Sequence, residues 1–516
     1  MLLHEFLERS AERFPEKTAL VFEKRRVSFR DLEAHANRLA QSFLAEGLKR
    51  QDRIAVFLEP SIEAVISIFG ILKAGGVFLV INPQVKAKKL EYILNDCQVK
   101  MLITESDRLG EVALVLPNCP HLQKLIITDC EIGKNEVPFA PGLKALSYSE
   151  ISQSFPPTRP PKFCIDIDLA SLIYTSGSTG IPKGVMLTHL NMVTAVESIT
   201  QYLENTADDI ILDALPLSFD YGLYQVLMAI KFGGTVVLEK SFLYPYRTIE
   251  ILIKEKVTGF PMVPTMAAVL FNLKKLDSYD FSNLRYITNT GQALPPSYIF
   301  QLRKLFPKAR IYSMYGLTEC KRVSYLPPEE VEKRPTSVGK AMPNTEVYIV
   351  DADGRRLDKP DVVGELVVRG AHVMKGYWNL PEETESVLKP SLLPNEKVLF
   401  TGDLFKMDEK GFLYFVARKD DMIKVAGGRV SPKEIENVLY ELKDVSEAAV
   451  IGVDHDILGQ AVKAFLVLKK GATLTEEEIL RHCVSRLENY MVPKFIELRE
   501  SLPKSSHGKI AKKELK

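Results

Sequence analysis

The segment at residues 174–184 combines residue types that bind phosphate. It reads YTSGSTGIPKG and follows a short apolar run. Small hydroxyl and glycine residues in such a loop offer backbone N–H groups and hydroxyl donors to phosphate oxygens. The spacing is not that of a Walker A loop, and a flexible linker rarely continues into Pro182-Lys183-Gly184. We therefore predict a phosphate site with the candidate residues Thr175, Ser176, Gly177, Ser178, Thr179, Gly180 and Lys183.

Two carboxylates lie in short motifs that could bind the metal ion and the ribose of a nucleotide. Glu319, in the sequence YGLTE, is a hard oxygen ligand for Mg²⁺, and the Thr318 hydroxyl can reach a phosphate oxygen. The alternative is a helix that starts with an N-cap threonine and a first-turn glutamate. Asp403, in the sequence TGD, follows an apolar strand and could accept two ribose hydroxyls. Its alternative is an ordinary β-turn aspartate.

Alternating strand and helix patterns must position these motifs. Strands are predicted at residues 53–58, 77–81, 101–104, 210–215, 235–238 and 284–288, and helices at residues 31–44, 62–72 and 90–96. Repeated βα units predict mainly parallel sheets covered by helices. Residues 131–166 are richer in Pro, Gly and Ser, which predicts a surface connection.

The pattern of predicted strands and helices changes in the last third of the sequence. Short strands with turn residues between them predict a small β-rich subdomain at about residues 340–418. Strands at residues 445–453 and 462–468 and a helix at residues 476–487 then predict a separate α+β unit. The predicted fold is a large α/β N-terminal domain, residues 1–419, and a smaller α+β C-terminal domain, residues 420–516.

Composition excludes several classes of protein. Among 516 residues, 67 Lys and Arg balance 66 Asp and Glu, whereas nucleic-acid-binding proteins usually carry a basic excess. Six cysteines without a CxxC pair favour a reducing compartment. The N-terminus lacks the apolar core of a signal peptide, and the longest apolar region is interrupted by Lys73 and Gly75-Gly76. We expect a cytoplasmic protein with no membrane span and no nucleic-acid partner.

Seven segments in order along the chain resemble the adenylate-forming superfamily, which includes acyl-CoA synthetases, luciferases and the adenylation domains of peptide synthetases. They are residues 72–83, 174–184, 315–319, 364–366, 401–403, 418–436 and 503–509. Within the superfamily the chain looks like an AMP-dependent acyl-CoA synthetase, especially a bacterial group associated with exosortase gene clusters.

The resemblance implies roles for further residues. Lys509 matches the family's catalytic lysine, although a lysine in a basic tail is otherwise simply solvated. Lys504 matches a motif position but not that role. Asp403 would bind the ribose with Arg418 nearby, and the C-terminal domain would rotate about a hinge at Asp420. The family's adenine-contacting loop corresponds here to Gly291, Gln292 and Ala293. The start of the YGLTE motif, which also belongs to the nucleotide site, is Tyr315 and Gly316. The glycine pair that faces the thiol in the family corresponds to Gly427 and Gly428.

The same resemblance places part of the acid pocket at Phe219, Asp220, Tyr221 and Gly222. Asp220 could pair with a substrate α-amine, as in amino-acid adenylation domains, or be a solvated or hydrogen-bonded loop residue. Lys321 and Arg322 stand either beside this pocket or in solvent. His189 follows the phosphate segment and is predicted to pack or to cap a helix.

The function that this resemblance implies is ATP-dependent acid–thiol ligation. A carboxylic acid becomes an acyl-adenylate, and the acyl group then passes to CoA. One alternative is a stand-alone enzyme that loads an amino or other acid onto the phosphopantetheine of a separate carrier protein. The other is a nucleotide-binding protein without catalysis. ATP, Mg²⁺ and CoA (or carrier phosphopantetheine) are the implied cofactors.

Overall fold

A computed structural model describes residues 1–129, 143–176, 182–391, 393–425, 428–455, 459–505 and 508–515. These residues form four β-sheets with helices packed on and between them. The first elements are α1 (Glu5–Arg13), β1 (Thr18–Phe22), β2 (Arg25–Ser28), α2 (Phe29–Ala45), β3 (Arg53–Phe57), α3 (Ile62–Lys73), β4 (Val77–Val80), α4 (Ala87–Asp96), β5 (Met101–Thr104), α5 (Leu109–Val115), β6 (Lys124–Ile127), β7 (Lys144–Ser147), α6 (Tyr148–Ser154), β8 (Leu169–Ser176), β9 (Pro182–Thr188) and α7 (His189–Tyr202).

The central elements continue the alternation of strands and helices. They are β10 (Ile210–Asp213), α8 (Asp220–Phe232), β11 (Thr235–Leu238), α9 (Pro245–Lys254), β12 (Gly259–Met262), α10 (Pro264–Phe271), β13 (Tyr286–Asn289), α11 (Pro296–Leu305), β14 (Arg310–Tyr315), β15 (Ser324–Tyr325) and β16 (Lys340–Ala341).

The last elements are mainly strands. They are β17 (Glu346–Val350), β18 (Gly364–Arg369), β19 (Gly376–Tyr377), α12 (Pro381–Val387), β20 (Leu388–Pro390), β21 (Lys397–Met407), β22 (Leu413–Arg418), β23 (Ile423–Val425), β24 (Gly428–Val430), α13 (Pro432–Leu439), β25 (Val445–His455), β26 (Gly459–Leu468), α14 (Glu476–Val484) and β27 (Phe495–Leu498).

Two large sheets dominate the N-terminal part. One has the order β16-β15-β14-β13-β12-β10-β11-β1-β2, and the other has the order β19-β9-β8-β4-β3-β5-β6-β7. Their central strands pair in parallel, while β2, β15, β16, β9 and β19 add antiparallel edges. The predicted α/β class with mainly parallel sheets is therefore confirmed, with antiparallel additions that the sequence patterns did not indicate.

Two smaller sheets complete the molecule. The first has the order β17-β18-β21-β20, with β22 paired to β21. The second has the order β24-β23-β26-β25, with β27 on β26, and packs with α13 and α14 around its own core. These correspond in kind to the predicted β-rich subdomain and α+β unit.

Helix α8 is almost wholly buried and lies where the acid pocket is predicted. All of its residues except Lys231 are buried, as expected for a helix with apolar residues on every side. The helix ends at Gly233, whose positive φ of 76° is the usual left-handed C-cap of glycine. Helix α8 packs against α1, α7, β10 and β11.

The prediction for residues 131–166 needs correction. Strand β7 pairs in parallel with β6, and α6 follows it directly, with the Ser147 side chain as its N-cap. Ser147 before an apolar residue is a helix-start signal that the Pro- and Gly-rich surroundings obscured. Along the described ranges, no helix is both long enough and apolar enough to cross a bilayer.

Candidate functional site

The arms of the predicted phosphate loop form an antiparallel pair of strands. Thr175 on β8 lies opposite Lys183 on β9, and the ammonium of Lys183 sits 5.3 Å from the centre of the Tyr377 ring. The Tyr174 hydroxyl on β8 donates a hydrogen bond to the Asp96 carboxylate at the end of α4 and so connects this pair of strands to that helix. The candidates Gly177, Ser178, Thr179 and Gly180 and the Ser176 side chain lie outside the described residues.

A tight hairpin between β14 and β15, residues 315–324, carries the YGLTE motif. It is closed by a hydrogen bond from the Val323 N–H to the Tyr315 carbonyl. Gly316 is needed here because a Cβ would lie 2.2 Å from the Lys321 carbonyl oxygen. Thr318 and Glu319 lie in a turn, so the alternative of a helix N-cap does not hold. Both residues are partly exposed.

Glu319 is oriented by a residue that the sequence analysis missed. The Tyr377 hydroxyl donates to Glu319 Oε1 at 2.7 Å. Burial raises the pKa of Tyr377, with Glu319 adding to the effect, so the phenol stays a neutral donor. Tyr377 reaches Glu319 because β19 pairs with β9 at Tyr377 and Val185. This long-range pairing had no signal in the local sequence.

Asp403 and Arg418 face each other across β21 and β22. The Asp403 carboxylate lies 3.0 Å from Arg418 Nε and accepts a hydrogen bond of 2.6 Å from the Tyr315 hydroxyl. Burial raises the pKa of Asp403, and Arg418 and Tyr315 oppose that rise. The preceding Gly402 has a φ of 71°, and its N–H donates to Glu365 Oε1. The structure thus joins two predicted nucleotide residues, Asp403 and Arg418, to a third, Tyr315.

Lys509 enters this site from the C-terminal part of the chain. Its ammonium lies 5.6 Å from the centre of the Phe219 ring, and its Cε would be 3.1 Å from a Cβ at Gly291. Burial lowers the pKa of Lys509, while the carboxylates of Asp220, Glu319 and Asp403 oppose that effect. By contrast, Lys504 pairs with Glu447 in its own unit at 2.5 Å.

The adenine-loop candidates follow β13 directly. Gly291 has a φ of 87°, a backbone conformation that favours glycine, and Gln292 and Ala293 beside it are half-buried. Gly291 and Phe219 follow the carboxyl ends of the parallel strands β13 and β10, and Tyr315 is the last residue of β14. Ligands of α/β sheets bind at this edge, so the topology explains why the candidates meet.

The acid-pocket candidates form the start of α8. Phe219 is the N-cap, and Asp220 is buried in the first turn with its carboxylate 3.2 Å from the Lys321 ammonium. Tyr221 is fully buried and shares a 2.6 Å hydrogen bond with Thr288. Gly222 permits close packing, because a Cβ there would lie 2.6 Å from the Pro216 carbonyl oxygen. Asp220 is therefore neither solvated nor in a loop.

The remaining candidates lie apart from this centre. His189 is the first residue of α7 and is buried, and its Nδ1 accepts a 3.0 Å hydrogen bond from the Leu3 N–H, in keeping with a packing role. Asp420 lies in an exposed turn directly after β22. Gly428 begins β24, while Gly427 lies outside the described residues.

The sequence left two positions open for Lys321 and Arg322, beside the acid pocket or in solvent. Lys321 and Arg322 are 3% and 1% exposed, so neither faces solvent. The inward direction of these two side chains depends on the backbone of Lys321, which has a positive φ of 59°. Non-glycine residues rarely adopt this conformation, and the sequence did not reveal it.

The assembled site can bind a polyanionic nucleotide and a carboxylic acid side by side. Lys183, Lys509 and Arg418 supply positive charge, and Glu319 and Asp403 supply oxygen acceptors. In the described ranges, no three His, Cys, Asp or Glu side chains form a metal cluster. A metal at Glu319 would therefore take its other ligands from phosphate oxygens and water, as Mg²⁺ does on nucleotides.

Comparison with known proteins agrees with this arrangement. Residues 7–378 match the AMP-binding enzyme family, and residues 434–509 match the AMP-binding enzyme C-terminal domain. The long-chain-fatty-acid–CoA ligase of Bacillus subtilis is 35% identical, over 99% of this chain and 94% of that protein. The ligase of the same name from Escherichia coli O157:H7 is 32% identical, over 100% and 94%.

A solved structure shows the same fold over its whole length. The anthranilate CoA ligase AuaEII in complex with anthranoyl-AMP has a TM-score of 0.91 and 27% identity, covering 100% of this chain and 96% of that one. The predicted superfamily is thus confirmed, while the finer resemblance to the exosortase-associated group stays a prediction. The chain belongs to the family of AMP-binding, adenylate-forming enzymes.

Proposed function

We propose that this chain forms an acyl-adenylate where Lys509 meets Glu319, Asp403 and Arg418, and then passes the acyl group to CoA. The reaction class predicted from the sequence, ATP-dependent ligation of a carboxylic acid to CoA through acyl-AMP, is confirmed by full-length relatives that are CoA ligases. The roles of individual residues, the metal and the cytoplasmic location belong to the proposal.

The first half-reaction needs positioning and neutralisation of charge. A carboxylate is a poor electrophile, so its oxygen attacks the α-phosphorus of ATP, and the bond to the pyrophosphate oxygen breaks. Phosphoryl transfer of this kind depends on cations placed where negative charge develops. The Lys509 ammonium lies 5.6 Å from the centre of the ring of Phe219, at the start of α8, where the acid is proposed to bind. This position of Lys509 is the observation that carries the proposal.

The nucleotide would be held by the residues around this cation. Asp403 would accept the ribose hydroxyls, with Tyr315 and Arg418 fixing its carboxylate. The loop that contains Gly291 would contact the adenine, and the absence of a side chain at Gly291 lets Lys509 approach the same loop. Mg²⁺ bound between Glu319 and the phosphates would neutralise charge on the nucleotide. Tyr377 keeps the Glu319 carboxylate aimed at that position.

The second half-reaction would use a different arrangement of the C-terminal unit. With Lys509 in the site, the present arrangement suits adenylate formation. We infer that rotation about Asp420 withdraws Lys509 and brings Gly427 and Gly428 to the pantetheine arm. The CoA sulfur would then attack the acyl carbon, and AMP would leave.

Substitution of Lys509 tests the assignment. Lys509→Ala should lower the rate of ATP-dependent adenylate formation about 100- to 1,000-fold, the usual effect of removing one charge-stabilising group. Thioester formation from supplied acyl-AMP and CoA should change far less, because no phosphoryl charge develops in that step. Pyrophosphate release and thioester yield measure the two steps separately.

Lys504→Ala is the matched control for this variant. Lys504 lies five residues earlier and forms an ion pair with Glu447. Its replacement by alanine should have little effect on the rate of either half-reaction. Equal losses of both half-reactions in Lys509→Ala would show that the lysine has another role.

A further inference from the structure

The hairpin at residues 315–324 turns two adjacent cations into the protein interior. Glu319 on this hairpin faces Tyr377, whereas Lys321 and Arg322 point towards the start of α8. Arg322 is among the largest side chains that the structure buries completely. The same short hairpin therefore carries nucleotide-site residues and a pair of buried positive charges.

Lys321 already has a counter-charge. Its ammonium lies 3.2 Å from the Asp220 carboxylate and 4.6 Å from the centre of the Tyr224 ring. Asp213 at the end of β10 is also close to Lys321, but burial raises the pKa of Asp213 well above its usual value. A raised pKa favours the neutral form of Asp213, so this carboxyl is a weaker counter-charge than Asp220.

Arg322 has only a share in the same carboxylate. Asp220 interacts electrostatically with Arg322 as well as with Lys321 and Lys509, so three cations share one anion. Among the described residues no carboxylate forms an ion pair with Arg322, and its Nε and Nη1 atoms have no hydrogen-bond acceptor. The guanidinium lies 5.3 Å from the centre of the Tyr221 ring, which gives only part of the stabilisation that an anion would give. An excess of buried positive charge is costly, so its retention needs an explanation.

We propose that the acid activated by this enzyme carries a second carboxylate, which binds the Arg322 guanidinium beside Lys321. Guanidinium is planar and presents parallel N–H donors that match a carboxylate. A plain hydrocarbon tail would leave this charge unmatched. The inference rests on the proposed ligase function and narrows its substrate to a diacid.

The second carboxylate would lie near the reacting one. Arg322 and Lys509 both interact electrostatically with Asp220, in the first turn of α8. The Lys509 ammonium is also 5.6 Å from the centre of the ring of Phe219, the residue before Asp220. Both carboxylates of the substrate would therefore lie near the start of α8.

Binding of matched probes tests the proposal. The probes are the linear diacids from malonate to adipate, each compared with its monomethyl ester, which has nearly the same shape but one charge fewer. Calorimetry measures their binding to the full chain with a non-hydrolysable ATP analogue present. For at least one length, the diacid should bind roughly 100-fold more tightly than its ester, because the ester leaves Arg322 unpaired.

Variants separate recognition from a purely structural role. Arg322→Met should reduce the preference for the diacid to within about threefold while ester binding stays nearly unchanged. Arg322→Lys should restore part of the preference, because charge returns without the planar fork. Arg310→Met is the matched control: Arg310 is exposed, pairs with Glu204, and should leave the preference intact. Thermal melting checks that each variant is folded.

The outcomes distinguish this inference from the ligase proposal. If every ester binds as tightly as its diacid, or if Arg322→Met folds and keeps the preference, the second-carboxylate site is wrong. Should Arg322→Met not fold, the ratio of diacid to ester in the unmodified chain decides alone. Pyrophosphate release with monoacids but not diacids would keep the ligase and reject the site. Arg322-dependent diacid binding without any pyrophosphate release would keep the site and reject the ligase.

Discussion

Asp220 shows how the partner of a charged residue stays open when only the sequence is known. Burial alone would raise the pKa of Asp220, but Lys321, Lys509 and Arg322 outweigh that effect and lower it. The aspartate is therefore ionised in the interior, and its countercharge belongs to the chain itself. From the sequence, the Asp220 carboxylate could pair with a substrate amine or lie in a solvated or hydrogen-bonded loop, because nothing in the local pattern showed that Lys321 turns inward. This internal pair weakens the case for an amino-acid substrate.

The ion pair of Asp220 and Lys321 gives the first prediction at this scale. Burial lowers the pKa of Lys321 to about 7, so this lysine can give up its proton when the Asp220 carboxylate is lost. Asp220→Asn should therefore lower the free energy of unfolding by about 1–3 kcal/mol, the cost of leaving a buried hydrogen-bonding group unpaired. Adding Lys321→Met should recover most of the loss, since both charges are then gone. Urea unfolding of the ligand-free protein at neutral pH measures both variants. A single variant as stable as the parent would mean that water reaches Lys321.

At the scale of elements, the site depends on where strands end and how their connections turn. Predicted and observed strands agree closely at residues 101–104 and 235–238, because short apolar runs bounded by turn residues give strong local signals. The pairing of β19 with β9, which delivers Tyr377, joins segments nearly 200 residues apart and has no local signal. The same holds for the inward turn at Lys321, which depends on backbone conformation.

The hairpin at residues 315–324 supplies a prediction about an element. In Gly316→Ala the new Cβ would meet backbone atoms of Lys321 and Arg322 at 2.2 and 2.9 Å, so a flexible side chain cannot relieve the clash. The hairpin must open, at a cost of about 1–3 kcal/mol. Adenylate formation should fall roughly 10- to 100-fold as Thr318 and Glu319 move. Pyrophosphate release measures the change.

Gly110→Ala is the control for a glycine substitution in general. Gly110 lies in α5, and an added Cβ there would meet no atom within 4 Å. Activity should be unchanged, and stability should rise by up to about 1 kcal/mol, because alanine favours helix. If both variants behave alike, the close approach at Gly316 is unimportant.

At the scale of the whole molecule, the active arrangement depends on how the C-terminal unit meets the rest. The Tyr298 hydroxyl donates to the Ser446 carbonyl at 2.6 Å, and the Tyr298 and Tyr440 rings are 5.8 Å apart. These contacts and Lys509 are among those that join the unit to the rest of the molecule. Motifs in the sequence identified Lys509 as a candidate, but they carried no information on which arrangement the chain adopts. Arrangement depends on surface complementarity across many residues, which local patterns do not encode.

The turn after β22 provides the last prediction, which concerns motion between the two units. The Asp421 N–H donates to the Arg418 carbonyl, and the Lys419 N–H donates to the Gly402 carbonyl, whereas Asp420 itself is exposed. A rotation about this turn needs one or two residues to absorb a large change in φ and ψ. Proline at position 420 would fix φ near −65° and restrict Lys419 as well.

Asp420→Pro should therefore keep ATP-dependent adenylate formation within about threefold of the parent while lowering thioester formation from supplied acyl-AMP about 100-fold, equivalent to ~3 kcal/mol in the barrier. Asp420→Ala, which removes the carboxylate but leaves the backbone free, is the control and should preserve both rates. A slow thioester step in both variants would assign the effect to the lost carboxylate. Unchanged rates in Asp420→Pro would place the pivot elsewhere, because a fixed φ at the true hinge cannot permit the rotation that brings the thiol to the acyl carbon.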